Sequence, residues 1–306
     1  MPDTTLPLLF QPITLRGVTA RNRVVVSPMC QYASQDGGPT DYHLVHLGKF
    51  AQGGAGIVFC EETSVEERGR KSHHCAGIYK DAHVAMYRRV NEFLRSQGAV
   101  PAMQLGHGGR KGSGCEPWEG YRSLTPEDAA RGRVAWQTVS ASALAANAQA
   151  ATPRELDRDD IRAVVAHWRE AALRTLDAGY DIIEIHAAHG YLIHQFLSPL
   201  ANRRGDGYGG DLEGRMRLCL EIIEAVRAAW PADKPLFLRV SAMDGANSRW
   251  SMEDTVTLAH AAKARGVDVI TTSSGGINGP GTPTLTPRTP GYHVPYAECV
   301  RRETGI

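Results

Sequence analysis

Six short apolar runs, separated by amphipathic or loop-like segments, predict an α/β fold. The clearest run lies within residues 181–191, DIIEIHAAHGY. Gly179 precedes this stretch and Gly190 follows its apolar part, and two histidines and a tyrosine lie at its end. In (β/α)8 barrels of the TIM type, polar groups at the carboxyl ends of buried parallel strands carry the chemistry. At 306 residues with 42% hydrophobic residues, the chain is long enough for one such barrel.

The first three strands are predicted at residues 23–27, 57–60 and 99–105. The first is a β-branched run that stops at Pro28, because proline cannot donate to a strand ladder. An isolated cysteine after such a proline, here Cys30, is by itself more consistent with a strand-ending loop than with a catalytic role. Likewise, Gln104 is the one polar side chain on the apolar strand 99–105, and a glutamine in this position is usually a hydrogen-bonded core amide.

Helices are predicted between the strands. Residues 41–52 form an amphipathic segment that ends at Gly53, which favours structural roles for His43 and His46. Asp157 begins a strong helix that Gly179 ends, with apolar residues at helical spacing: Ile161, Val164, Val165, Trp168, Ala172 and Leu176. Further helices run through residues 216–226 and begin after residue 294.

Residues 112–153 are rich in Gly, Pro, Ser and Ala and show little periodicity. Such a long irregular insertion is uncommon unless it covers a site or packs locally. We expect it to be a capping excursion within one domain spanning residues 1–306.

Strands five and six are predicted at residues 235–241 and 268–272. Arg239 is a cation inside an apolar run, so it needs either an ion pair, for which Glu184 is the candidate, or an anionic ligand. After strand six, the small residues Ser274 and Gly275 allow a ligand to approach the backbone closely.

His186, His189 and Tyr191 are the main candidate catalytic residues. If the chain turns into a helical loop after the strand, the two histidines lie on one side and Tyr191 reaches the same space. An HxxH pair is also typical of metal sites, so a metal-dependent barrel hydrolase is an alternative, with Glu61, Glu62 or Asp244 as acidic ligands.

Composition excludes other classes. A net charge of +1 gives no basis for binding nucleic acid or an acidic membrane surface. The chain starts with neither a basic region nor a long apolar one, which predicts a cytoplasmic protein. Six scattered cysteines without a CxxC pair predict free thiols and no metal cluster: Cys30, Cys60, Cys75, Cys115, Cys219 and Cys299.

Three stretches together resemble one family. They are SPMCQY at residues 27–32, the DIIEIHAAHGY run, and QFLSPLANRRGDGYGGDLEGRMRL at residues 195–218. They resemble the Old Yellow Enzyme family of FMN-dependent ene-reductases, and within it the thermophilic-like (YqjM-type) branch. The resemblance extends from about Phe10 to the last residue.

The resemblance implies a function and a set of roles. FMN would receive hydride from NADPH (or NADH) and pass it to the C=C bond of an activated alkene by ping-pong, which explains the absence of a GxGxxG fingerprint. His186, His189 and Tyr32 would bind the substrate, and Tyr191 would donate the proton. The FMN contacts would be Ser27, Pro28, Met29, Cys30, Glu62, Gln104, Arg239, Ser274 and Gly275. Glu62 stands where the family usually has a small residue. The resemblance also implies homodimers or dimer-built tetramers.

Six βα units are visible where a closed barrel has eight. The missing pair would include the flavin-phosphate loops, which we expect in a further C-terminal segment, in another chain, or lost in how the sequence was recorded. A catalytically silent flavin-binding subunit of a larger assembly is therefore a second alternative.

Overall fold

The computed structural model describes residues 6–245, 249–278 and 289–306. The first half of this part of the chain contains β1 (Ile13–Leu15), β2 (Val18–Ala20), β3 (Val25–Val26), α1 (Asp41–Gln52), β4 (Ile57–Ser64), α2 (Val84–Ser96), β5 (Val100–Gly106), α3 (Pro126–Ala129), β6 (Val139–Ser140) and β7 (Arg154–Glu155). The second half contains α4 (Arg158–Asp177), β8 (Ile182–Ala187), α5 (Leu192–Leu197), α6 (Leu212–Ala229), β9 (Leu236–Ser241), α7 (Met252–Ala264), β10 (Val269–Ser273) and α8 (Val294–Thr304).

Six strands form one parallel sheet in the order β10, β9, β8, β5, β4, β3. These are the six predicted strands, with helices between them, so the predicted α/β architecture is confirmed for the described residues. Two strands differ from the prediction by more than one residue at a bound. Strand β3 has only two residues, and β4 continues past Cys60 to Ser64, so Glu61 and Glu62 belong to the strand.

The sheet is buried on both faces, as expected for parallel strands covered by helices. Every residue of β4, β5 and β8 is buried. On one face, a continuous core joins the strands to the helices, and the predicted helix α4 contributes Ile161, Val164 and Trp168, all with no exposed surface. Burying side chains of this size contributes about 1.5–3 kcal/mol each, so this core holds the helices against the sheet.

A second, smaller core fills the inner face near the amino ends of the strands. It consists of Ala20, Ile57, Phe59, Val100, Ala102, Ile182 and Phe237. The β1–β2 hairpin packs onto it through Ile13 and Leu15 and so covers this end. The polar groups therefore lie at the opposite end, beyond the carboxyl ends of the strands.

The predicted helix boundaries follow from local hydrogen bonds. Asp157 caps α4, because its side chain accepts a 2.8 Å hydrogen bond from the backbone N–H of Asp160. Gly179 follows the helix in the left-handed region, with φ +84°. At the start of α1, His43 Nδ1 accepts from the N–H of Thr40, and its Nε2 lies 3.1 Å from Glu61 Oε1. The predicted structural role of His43 is confirmed.

Residues 112–153 hold only α3, β6 and short turns, and β6 pairs with β7 in a separate two-stranded sheet. All six cysteines are free thiols, as predicted. Within the described ranges 6–245, 249–278 and 289–306, no helix combines the length and the apolar character needed to cross a membrane.

Candidate active site

Parallel pairing brings the polar residues of four neighbouring strands together. Glu62 is in register with Gln104, Gln104 with Glu184, and His186 with Arg239. Because these strands run in one direction, their carboxyl-terminal halves lie together at one end of the sheet, which we call this face. The predicted candidates on β4, β5, β8 and β9 therefore share this face.

His186 and His189 form a hydrogen-bonded chain. His186 Nδ1 accepts from the N–H of Ala188 at 3.1 Å, so the neutral ring carries its proton on Nε2. That Nε2 lies 3.1 Å from His189 Nδ1, and His189 Nε2 lies 2.6 Å from Ser273 Oγ. The geometry assigns both protons to the Nε2 atoms, each donating to the next group.

Burial keeps both rings neutral. It lowers the pKa of His189 to about 3, helped by the positive charge of Arg239, and it lowers the pKa of His186 well below its ordinary value, helped by His189 and Arg239. At neutral pH, each ring therefore has one N–H donor and no charge.

The loop after β8 is not helical, so the predicted route to this pairing is wrong. His189 has φ +59° and Gly190 has φ +72°, which is a left-handed turn. A Cβ at position 190 would lie 2.2 Å from the carbonyl oxygen of Gly276, so only glycine fits there. The turn is held by Ser241 Oγ, which accepts from the His189 N–H at 3.0 Å and donates to the Gly275 carbonyl at 2.8 Å.

Tyr191 lies beside the histidines, as predicted. Its ring centroid is 4.9 Å from that of His186, and the ammonium groups of Lys71 and Lys111 lie 5.3 and 5.9 Å from it. Burial raises the pKa of Tyr191 well above its ordinary value. The phenol is therefore protonated at neutral pH and is available as a proton donor.

Gln104 is held by Glu184. The Gln104 amide nitrogen donates to Glu184 Oε1 at 2.7 Å, and Thr271 Oγ1 donates to Glu184 Oε2 at 2.5 Å. Burial raises the pKa of Glu184, and the nearby charge of Arg239 opposes that rise. These bonds fix the orientation of the Gln104 amide.

Arg239 forms no ion pair with Glu184, so this alternative from the sequence is wrong. The two carboxylate oxygens of Glu184 accept hydrogen bonds from Gln104 and Thr271 instead. The Arg239 Nε is buried and has no hydrogen-bond partner among the described residues. A buried guanidinium nitrogen without an acceptor suits an anionic ligand at this face, and the negative edge of a flavin fits this requirement.

The loop after β3 and the turn after β10 complete the predicted set. Ser27 and Met29 are exposed, while Pro28 and Cys30 are half-buried, and burial raises the pKa of the Cys30 thiol to about 12. Ser274 Oγ lies 3.0 Å from His293 Nε2, and Gly275 takes the left-handed conformation with φ +66°. The small residues Ser274 and Gly275 leave the backbone of the turn after β10 open to close approach by a ligand.

Three functional neighbours were not predicted from the sequence. Ser273 accepts from His189, Lys111 Nζ binds the His189 carbonyl at 2.8 Å, and His194 Nδ1 accepts from the Gly190 N–H at 2.8 Å. His194 is in turn paired with Asp244 at 2.8 Å. Each is a polar residue close to a strand end, and only that position is visible in the sequence. His107 and Arg110 brace the neighbouring loop: His107 Nδ1 accepts from the Gly109 N–H, and Arg110 donates to the Ile277 carbonyl.

The acidic residues that a metal-dependent hydrolase would use already have basic partners. Glu61 pairs with His43, Glu62 with Lys71, and Asp244 with His194. Another cluster of potential metal ligands, Cys115, Glu119 and Asp128, is compensated by Arg122 and Arg133. The side-chain arrangement therefore favours hydrogen bonding by neutral histidines over metal ligation.

A parallel α/β barrel sheet, with paired neutral histidines, a protonated tyrosine and a buried arginine at its carboxyl end, defines a flavin-dependent oxidoreductase of the TIM-barrel class. Residues 8–286 match the model of the NADH:flavin oxidoreductase / NADH oxidase family, and the chain belongs to this family. Its cofactors are FMN and a nicotinamide nucleotide.

Relatives and solved structures agree with this assignment. An NADPH dehydrogenase of Listeria welshimeri is 41% identical over 300 residues, which cover 97% of this chain and 81% of the relative. An NADH:flavin oxidoreductase of Gibberella zeae is 38% identical, covering 97% and 74%. Morphinone reductase has a TM-score of 0.78 at 27% identity, with 98% of this chain and 78% of that one covered. An Old Yellow Enzyme homologue from Zymomonas mobilis has a TM-score of 0.74 at 26% identity, covering 92% and 78%.

Proposed function

We propose that this protein uses NADPH (or NADH) to reduce the C=C bond of α,β-unsaturated carbonyl or nitro compounds. The observation that carries the proposal is the pair of neutral histidines, 3.1 Å apart and beside a protonated tyrosine. Reduction of an activated alkene needs donors for the electron-withdrawing oxygen and a proton for one alkene carbon. This face of the barrel has both.

His186 and His189 bind the acceptor's carbonyl or nitro oxygen. Their Nε2–H groups now donate to His189 and Ser273, and the acceptor oxygen takes over these bonds. Because both rings are neutral, with His186 buried and His189 half-buried, they stabilise the negative charge that develops on that oxygen at little reorganisation cost.

Tyr191 supplies the proton. Its hydroxyl delivers the proton to the α-carbon, and its ring, beside His186, fixes the direction of delivery. Bound FMN would supply the hydride chemistry that links the nicotinamide to the β-carbon. The two alkene carbons thus gain one hydride and one proton.

The flavin is proposed to lie against the face formed by Gln104 and Arg239. The Gln104 amide, oriented by Glu184, pairs with the flavin pyrimidine edge, and the Arg239 Nε donates to its negative side. The backbone groups contributed by the loop and the turn complete the proposed set: Ser27, Pro28, Met29, Cys30, Glu62, Ser274 and Gly275. Glu62 contributes through its backbone only, because its side chain pairs with Lys71.

Residues 112–153 are proposed to cap the site, and Tyr32 to close over the acceptor. The rings of Tyr32 and Trp118 pack edge to face with their centroids 5.7 Å apart. This contact supports both roles, because it puts Trp118 of the capping segment beside Tyr32 of the first βα loop. The homo-oligomeric state and the cytoplasmic location stay predictions. Light scattering of the purified protein measures the first, and cell fractionation measures the second.

The test is an absorbance spectrum of the purified protein, recorded without oxygen before and after addition of NADPH. We expect a flavin spectrum that bleaches with NADPH and recovers with cyclohexenone. A colourless protein that binds no FMN would contradict the proposal.

Four variants assign the roles. His186→Ala and His189→Ala weaken binding of phenolic ligands and slow recovery by cyclohexenone, and unchanged affinity and rate in both would contradict their role. Tyr191→Phe slows recovery while NADPH still bleaches the flavin, so loss of bleaching would contradict its role as proton donor. Cys30→Ala shifts the flavin potential and keeps the fold, and an unaltered potential and ligand affinity would reduce Cys30 to packing.

A further inference from the structure

Glu62 and Lys71 form a buried ion pair beside the active site. Their exposed fractions are 2% and 7%, and the Lys71 ammonium contacts Glu62 Oε2. The pairing of β4 with β5 shifts register between Cys60 and Glu62, and such a bulge redirects side chains. Glu61 reaches His43, whereas Glu62 reaches Lys71. The acidic side chain at position 62 therefore turns into the protein.

The surrounding backbone is shaped to receive this pair. A Cβ at position 106 would lie 2.2 Å from Glu62 Oε1 and 2.5 Å from its Cγ. A Cβ at position 108 would lie 3.2 Å from Lys71 Cγ and 3.0 Å from the Gly69 carbonyl oxygen. Gly106 and Gly108 thus provide the space that the two charged side chains occupy.

The Lys71 ammonium faces the residues assigned to the acceptor. It lies 5.3 Å from the Tyr191 ring centroid and within reach of the Cys30 thiol, and its charge acts on Tyr32 and His186. Burial lowers the pKa of Lys71, whereas the anionic forms of Cys30, Cys75 and Tyr32 and the Glu61 carboxylate raise it, and the net shift is upward. Lys71 is therefore a cation at neutral pH.

The donors of this cation are not used up within the protein. An ammonium has three N–H donors. Glu62 Oε2 contacts it directly, and no other oxygen or nitrogen of the described residues accepts a hydrogen bond from Nζ. A buried ammonium with donors to spare beside the proposed acceptor-binding residues suits a further acceptor, and an anionic acceptor binds it most strongly.

We propose that Lys71 is a specificity-determining residue that selects activated alkenes bearing a carboxylate. This inference rests on the proposed ene-reductase function. The histidines take the carbonyl oxygen, Lys71 takes the carboxylate, and Glu62 holds the ammonium in place and balances its charge between turnovers. The distances from Tyr191 to His186 and to Lys71 put the ammonium within about 10 Å of the His186 ring. This upper bound allows a compact acceptor, whose carbonyl and carboxylate flank the same double bond, to reach both groups.

The test compares monomethyl maleate, which carries one carboxylate, with neutral dimethyl maleate. The measured quantity is the ratio of their kcat/KM values in the FMN-loaded enzyme. Hydrogen bonds to charged groups contribute enough that Lys71→Met should lower this ratio about 10- to 100-fold. Glu62→Gln should raise it, because it removes the carboxylate that competes for Lys71. Lys71→Arg keeps the charge and should keep most of the preference.

A binding measurement does not depend on turnover. Titration calorimetry measures the affinities for para-hydroxybenzoate and for its methyl ester. The ratio of the first affinity to the second should fall in Lys71→Met and rise in Glu62→Gln. The matched control is Lys80→Met, because Lys80 also pairs with a carboxylate, Asp36, and lies 5.9 Å from the ring of Tyr79, away from the site. It should leave both ratios unchanged.

Two results overturn the inference. One is an equal loss for charged and neutral compounds in Lys71→Met. The other is a change in the same direction for Lys71→Met and Glu62→Gln, which a purely structural pair would cause. Failure of the wild-type enzyme to reduce dimethyl maleate or cyclohexenone would instead contradict the proposed function, and the binding ratios would still decide the role of Lys71.

Discussion

Replacement of His189 by asparagine should remove part of the pH dependence of stability. In the folded protein, the pKa of His189 is lowered from its ordinary 6.5 to about 3, mainly by burial. A histidine with a lowered pKa stabilises the fold fully above pH 6.5 and loses that contribution as the pH falls towards 3, because the unfolded chain takes up the proton first. Wild-type stability should therefore decline between pH 7 and pH 5.

The magnitude follows from the two pKa values. At pH 5, the unfolded chain is almost fully protonated at this residue and the folded protein hardly at all, which corresponds to about 2 kcal/mol. His189 is only half-buried by surface area, so solvent screening reduces the expected effect to about 1–2 kcal/mol. The acceptor-binding N–H groups persist over the same range, because neither histidine is protonated in the folded state.

Urea unfolding at pH 7 and pH 5 measures this contribution. The fall in unfolding free energy between the two values should be about 1–2 kcal/mol smaller in His189→Asn than in the wild type. His260→Asn, at an exposed position on α7, is the control and should show the wild-type fall. If His189→Asn loses as much stability as the wild type between pH 7 and pH 5, burial does not keep the His189 ring neutral.

Two further replacements test the support of the site. Glu184→Ala leaves the Gln104 amide and the Thr271 hydroxyl as donors without their acceptor, so we expect a loss of about 2–6 kcal/mol in unfolding free energy, together with weaker FMN binding. Unchanged urea unfolding and FMN affinity would show that Glu184 does not hold Gln104. Gly106→Ala should cost about 1–3 kcal/mol, because its Cβ overlaps Glu62. In a double-mutant cycle, Glu62→Ala should recover most of that loss, and strict additivity would show that Glu62 does not occupy this space.

Much of the fold could be predicted from the sequence because its signals are local. The apolar run before His186 and the helical spacing after Asp157 specify β8 and α4 through burial and capping, which neighbouring residues decide. The order of motifs along the chain likewise indicated the flavoprotein family before any contact was known. Strand limits were less certain: β4 continues through Glu61 and Glu62, because sheet pairing overrides the polar character of these residues.

Other features depended on residues far apart in the chain. Glu184 was one of two alternatives for Arg239, the other being an anionic ligand, and Gln104 and Thr271 occupy the Glu184 oxygens. This competition is settled only by strand register. The histidines meet through a left-handed turn that the Gly276 carbonyl makes specific for glycine.

The sequence by itself determined the class of fold, the strand ends that bear polar groups, and the identity of the paired histidines and the tyrosine. These depend on periodicity and on motif order, which are properties of the chain alone. Only the tertiary structure decided that Glu62 turns inward to Lys71, that Arg239 keeps a buried donor available, and that His189 donates to Ser273. Those outcomes depend on which buried polar groups the folded chain brings within hydrogen-bonding distance. Burial makes each such pairing important for stability, because an unpaired buried polar group costs free energy.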